Sequence, residues 1–207
     1  MSAACRADQR PNRTRSRAVL LTAGAAVAAL LLSACGSGGT SGGSGNTNFV
    51  AGKDGVDTVA KGSRTPIPDL SGPTVDGKQL DVDDYKGKVV VLNIWGSWCG
   101  PCRLEAENFE KVYKDVKDDG VQFVGINTRD SGLTLPRAFE KEHGITYPSL
   151  YDPTGRLMLR FKKGTLNPQL IPSTLIVDRD GKVASRTLQA LSEESLRKML
   201  KPVLAEK

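Results

Sequence analysis

The sequence predicts an α/β fold, and three observations carry that expectation. Residues 88–95 (KVVVLNIW) are a continuous apolar run rich in β-branched side chains, the pattern of a strand buried on both faces. A helical pattern follows from about Cys99 to Val116, with Phe109, Val112 and Val116 at helical spacing and Gly120 ending it. A second strand, residues 121–127, comes next, so strand and helix alternate. The chain has 207 residues, 39% hydrophobic and 25% charged, which suits one ordinary globular domain and excludes a disordered chain.

The first element is a targeting signal. Arg6, Arg10, Arg13, Arg15 and Arg17 precede residues 18–32, an uncharged apolar run of 15 residues. A membrane span needs about 20 such residues, whereas a secretory signal core is this short. The run ends in Leu32-Ser33-Ala34-Cys35, which resembles a bacterial lipobox, so residues 1–34 are expected to be removed and Cys35 to carry lipid. The net charge of +6 falls to +2 once this segment is set aside. The remaining chain has no basic run interleaved with aromatics, so no nucleic-acid partner is expected. Residues 36–48 are almost wholly Gly, Ser, Thr and Asn. With Cys35 they open a flexible tether, expected to run to residue 62 and to have a reach of about 28 Å. The folded domain is expected over residues 63–207.

The cysteines carry the chemistry. Of four, Cys5 lies in the signal and Cys35 is expected to be lipidated, leaving Cys99 and Cys102 in Trp98-Cys99-Gly100-Pro101-Cys102. A structural disulfide closing so small a ring removes little chain entropy. Zinc wants four ligands, and only His143 remains to help. A redox dithiol is therefore favoured, in an exported setting where disulfides persist. The pair sits at a strand-to-helix junction, where free backbone N–H groups and the positive dipole end favour thiolate. Cys99, first and more exposed, is expected to be the nucleophile, and Cys102 to resolve the mixed disulfide. Pro101 suits the first helical turn, where its missing N–H costs nothing. Glu105 shares the helix face of Phe109 and Val112 and lies nearly one turn beyond Cys102. Burial there would raise its pKa and let it exchange a proton with Cys102. Trp98 is expected to shield the cysteines and Trp95 to lie in the core.

The remaining elements read as scaffold. A short helix pattern over residues 136–142 ends at His143-Gly144. Asp180-Gly181 marks a hairpin between strands 174–178 and 183–188. Ser192 caps a terminal helix bearing Leu196, Met199, Leu200 and Val203, which Pro202 is expected to kink or end early.

The run Asn93-Ile94-Trp95-Gly96-Ser97-Trp98-Cys99-Gly100-Pro101-Cys102-Arg103-Leu104-Glu105 resembles the active-site strand and helix of the thioredoxin superfamily. More closely, it is similar to membrane-tethered TlpA/ResA-type thiol–disulfide oxidoreductases and the redoxin group. Ile171-Pro172-Ser173-Thr174 matches the superfamily's cis-proline segment, and Glu105 falls where that type carries a carboxylate. The resemblance implies a thioredoxin-like fold: a central mixed β-sheet flanked by helices, an N-terminal β extension, and a helical insert over residues 128–169. It also implies that Gly100, Pro101, Trp98, Ile171 and Pro172 meet the substrate. Thioredoxin itself has a buried Asp where this chain has Asn93, which leaves Glu105 as the acid–base group.

The function expected is a monomeric, lipid-anchored oxidoreductase on the outer face of the cell membrane. It would need no cofactor beyond the Cys99–Cys102 pair. The resemblance implies that it reduces disulfides of exported proteins, apocytochrome c or another, and is recharged by a membrane dithiol carrier. A dithiol oxidase of the same fold is the main alternative. A peroxiredoxin is disfavoured because Gly96 stands where its Ser or Thr should be. A copper chaperone is disfavoured by the single distant His143, and no metal is expected.

Overall fold

The computed structural model describes residues 47–206. The signal segment, Cys35 and most of the tether therefore lie outside the described residues. In chain order the elements are β1 (Val50–Ala51), β2 (Val56–Thr58), β3 (Ser71–Pro73), β4 (Gln79–Asp81), β5 (Val89–Trp95), α1 (Gly100–Val116) and β6 (Val121–Thr128). They continue with α2 (Thr134–Glu142), β7 (Ser149–Asp152), α3 (Arg156–Leu159), β8 (Ser173–Val177), β9 (Val183–Thr187) and α4 (Glu193–Leu204). Seven strands form one mixed sheet in the order β1-β2-β9-β8-β5-β6-β7, and β3 pairs with β4 as a separate hairpin.

The apolar run of residues 88–95 becomes the central strand because both faces of β5 are covered. All seven of its residues are buried. Alternation sends Val90, Leu92 and Ile94 to one core with Leu70, Ile126, Leu150 and Leu175. Val89 and Val91 go to the other core, under Phe109 of α1 and Leu196 and Leu200 of α4. β6 pairs parallel to β5 and β8 pairs antiparallel to it. The carboxyl ends of β5 and β6 and the start of β8 thus meet at one edge of the sheet.

The structure moves three expected boundaries. The tether does not run to residue 62: β2 pairs with β9 and β1 with β2, so the sheet begins at Val50. Two and three residues long and nowhere fully buried, these strands show no period for a sequence reading to find. The segment over residues 128–169 is not only helical, since β7 adds a parallel strand beside β6. Pro202 does not end α4, which continues to Leu204. Proline so close to a helix end removes one backbone hydrogen bond, and burial of Met199, Leu200 and Val203 carries the last turn through. Elsewhere the local reading holds. The Ser192 side chain accepts from Ser195 N, and Asp178 accepts from Asp180 N and Lys182 N in the β8–β9 turn.

The N-terminal strands are fastened through Arg186 on β9. Its Nε donates to Asp57 of β2 at 2.9 Å, its Nη1 donates to the carbonyls of Gly164 and Thr165, and its guanidinium lies 4.0 Å over the Phe49 ring. One buried cation thus ties β2, the segment just before β1 and the loop that leads to Ile171. Breaking a buried pair leaves an uncompensated charge, worth about 3 kcal/mol or more. Urea unfolding of the full-length Arg186→Ala variant is expected to show a loss of about 3 kcal/mol. A change within about 0.5 kcal/mol, the usual range for a surface substitution, would contradict this role.

Candidate active site

The dithiol sits where the topology brings three chain segments together. β5 ends at Trp95 and α1 starts at Gly100, with Cys99 as its N-cap in an extended conformation. The Cys99 sulfur accepts from Cys102 N at 3.2 Å, so a free backbone N–H of the first turn points at it. Gly100 and Pro101 complete that turn at positions where the Gly100 N–H needs no intrahelical partner and Pro101 has no N–H to satisfy. Cys99 and Cys102 form a disulfide with Cα atoms 5.3 Å apart. Cys99 is 4% exposed and Cys102 1%, so the order matches the expectation but the margin is small. The peptide bond Ile171–Pro172 is cis, and the Ile171 carbonyl oxygen lies 3.7 Å from the Cys99 sulfur. The expected site residues Cys99, Cys102, Gly100, Pro101, Ile171 and Pro172 thus converge.

Trp95 lies in the core, stacked on Phe139 at 4.4 Å between ring centroids. Trp98 is half exposed, at 51%. Its indole folds back over Gly96, where an added Cβ would stand 2.6 Å from Nε1. Any larger residue at position 96 would push the indole away. His143 caps α2 and lies against Phe139, with Nδ1 3.6 Å from Glu107 of α1. Among the described residues no group of three or more His, Cys, Asp or Glu is placed to hold a metal.

Glu105 is buried beneath the dithiol at 1% exposure. Its Oε1 accepts from Asn93 Nδ2 and its Oε2 from Leu191 N, both at 2.9 Å. Burial raises its pKa to about 7, and the two hydrogen bonds, which favour the charged form, offset only part of that rise. Asn93, at the position of thioredoxin's buried Asp, thus touches Glu105, the carboxylate left to act in its stead. Leu191 was not foreseeable, because a backbone N–H leaves no mark in sequence.

Two residues escaped the sequence reading. Asp130, just beyond β6, accepts from Ser97 N at 2.9 Å, Ser97 Oγ at 2.5 Å and Asn127 Nδ2 at 2.7 Å, which fixes the loop between β5 and Cys99. Arg129 places its guanidinium 4.6 Å over the Trp98 ring. Their position at the carboxyl end of a parallel strand was the available signal, since ligand-facing groups gather there.

The redoxin family model matches residues 61–200. The ResA thiol–disulfide oxidoreductase of Geobacillus kaustophilus is 29% identical over 157 residues, 76% of this chain and 84% of that protein. A solved DsbF homologue from Corynebacterium diphtheriae is 32% identical with a TM-score of 0.67, over 73% of this chain and 94% of that one. A secreted thiol–disulfide isomerase from Corynebacterium glutamicum is 27% identical with a TM-score of 0.68, over 73% and 93%.

The Glu105 assignment has a stability consequence. Between about pH 4.5 and 7 the folded protein keeps a proton that the unfolded chain has released. Stability from this group is therefore complete below the unfolded value and is lost as pH rises through the window, by about 3 kcal/mol in all. Glu140 titrates in the same window through its own burial, so the comparison must be differential. Relative to wild type, the oxidised Glu105→Gln variant is expected to gain about 3 kcal/mol between pH 4.5 and 8 in urea unfolding. Parallel curves would contradict the burial argument.

Proposed function

The chain belongs to the redoxin family and is a ResA/TlpA-type member of the thioredoxin superfamily; from that premise we propose that it is a thiol–disulfide oxidoreductase that reduces disulfides of exported proteins. The observation that carries the reading is the Cys99–Cys102 pair at the N-terminus of α1, with the Ile171 carbonyl against Cys99.

In the reduced protein the Cys99 thiolate attacks one sulfur of a substrate disulfide. A Cys99–substrate bond forms, the substrate S–S bond breaks, and the other substrate sulfur leaves as thiolate. The helix N-terminus stabilises the attacking thiolate. Cys102 then attacks the Cys99 sulfur, giving the Cys99–Cys102 disulfide and releasing the second substrate thiolate. Two electrons pass from the protein pair to the substrate. Cys102 must shed its proton to attack, and Glu105, with its pKa near 7, is matched to receive it. The backbone of Ile171 flanks the sulfur that the substrate approaches, and the half-exposed Trp98 precedes Cys99 in the chain.

The Leu32-Ser33-Ala34-Cys35 motif supports lipidation at Cys35 after removal of residues 1–34, with the following polar segment as tether. In that setting the protein works outside the cytoplasm, and a membrane dithiol carrier returns its electrons. Apocytochrome c is one substrate of this chemical kind, since its haem-attachment cysteines must be reduced before use.

Cys99→Ser is expected to lower protein-disulfide reduction roughly a thousandfold or more. Cys102→Ser is expected to accumulate mixed disulfides through Cys99, seen on non-reducing gels of membranes carrying the full-length protein. A Cys102→Ser protein that captures nothing yet turns over at the wild-type rate would overturn the mechanism.

A further inference from the structure

We propose that Arg129 is a specificity-determining residue, whose guanidinium at the mouth of the dithiol selects substrates carrying an acidic side chain next to their disulfide. This rests on the reductase reading above and adds the chemistry of the substrate.

Arg129 has φ of 59°, the left-handed region that non-glycine residues seldom enter. Such conformations persist only where the surroundings enforce them, and they gather at functional sites. Here both sides of the turn are pinned. Arg129 N donates to the Asp152 carbonyl, and Tyr151 Oη donates to the Asp130 carbonyl at 3.0 Å. The Asp130 carboxylate is held by Ser97 and Asn127. The result is that the Arg129 guanidinium lies over the ring of Trp98, the residue that precedes Cys99.

That charge is uncompensated. Asp130 is adjacent in sequence, but its carboxylate is buried and engaged on the β5–α1 loop. Arg103, the arginine next to Cys102, is paired with Glu142 at 3.3 Å. Among the described residues no carboxylate stands within ion-pair distance of Arg129, and its guanidinium donates no hydrogen bond. Stacking occupies one face of the guanidinium and leaves its N–H edges for an incoming acceptor. The planar fork suits a carboxylate, taken in bidentate fashion. A substrate disulfide presented to Cys99 brings its flanking residues to this point. One cation on one aromatic ring is matched to a single acidic side chain rather than to an extended polyanion.

The test compares two cystine peptides that differ only in the residue flanking one half-cystine, Glu in one and Lys in the other. The reduced full-length protein reduces both, and kcat/KM is measured for each at low and high salt. The wild type is expected to favour the Glu peptide about fivefold, with the preference shrinking as salt rises. Arg129→Asn, chosen because Asn tolerates positive φ, is expected to bring the ratio to about one. Arg129→Glu is expected to invert it. A ratio is unaffected by the fraction of active protein, so partial misfolding does not imitate the result. The same ratio in all three proteins would overturn the proposal while leaving the reductase reading intact. A wild type that reduces neither peptide would overturn that reading, and this proposal with it.

Discussion

A strand buried on both faces can meet water only at its ends, and the site follows from that constraint on β5. Its seven residues are enclosed by two cores, so the chain can surface only after Trp95. Because β6 runs parallel to β5, its carboxyl end surfaces at the same edge and delivers Arg129 and Asp130 there. Because β8 runs antiparallel, it is its start that arrives, and with it the cis Ile171–Pro172 bond. Cys99, the Ile171 carbonyl and the Asp130 loop clamp come from three distant parts of the chain, and one sheet topology gathers them.

The second consequence of that burial is electrostatic. α1 packs its Phe109 and Val112 face on the sheet, and Glu105 shares the face. Removing a carboxylate from water favours its neutral form strongly, while each charge-assisted hydrogen bond returns only about 1.5–3 kcal/mol. Asn93 and Leu191 supply two such bonds, and desolvation still wins, which leaves the pKa at about 7. A proton acceptor poised near neutrality suits a resolving thiol. When ionised, the same group opposes a negative charge on the dithiol at the start of its own helix. A reduced pair that is poorly stabilised as thiolate gives its electrons away readily, the opposite of a strong oxidant whose reduced form is stabilised.

What was legible in the sequence was local or strongly periodic. The β5 run, the α1 stripe, the cysteine spacing, the Ser192 cap and the Asp180-Gly181 turn each carry their cause within a few residues. Glu105 was legible because helical spacing alone puts it on the buried face. β1 and β2 were not, because their pairing is created by β9, about 130 residues away, and not by their own composition. β7 was hidden for a similar reason: it is four residues long and gains its place from β6. Arg129 and Asp130 look like ordinary polar loop residues until the parallel pairing of β5 and β6 sets them beside Ser97 and Trp98.

The most direct test of the account is the reduction potential of the Cys99–Cys102 couple in the full-length protein, from equilibration against dithiothreitol and glutathione buffers. A buried carboxylate one turn from the resolving cysteine opposes a thiolate there and points to a reducing pair, so a value near or below about −230 mV is expected. A value near −120 mV, where the reduced form is the stabilised one, would contradict the reductase account and make the protein a dithiol oxidase.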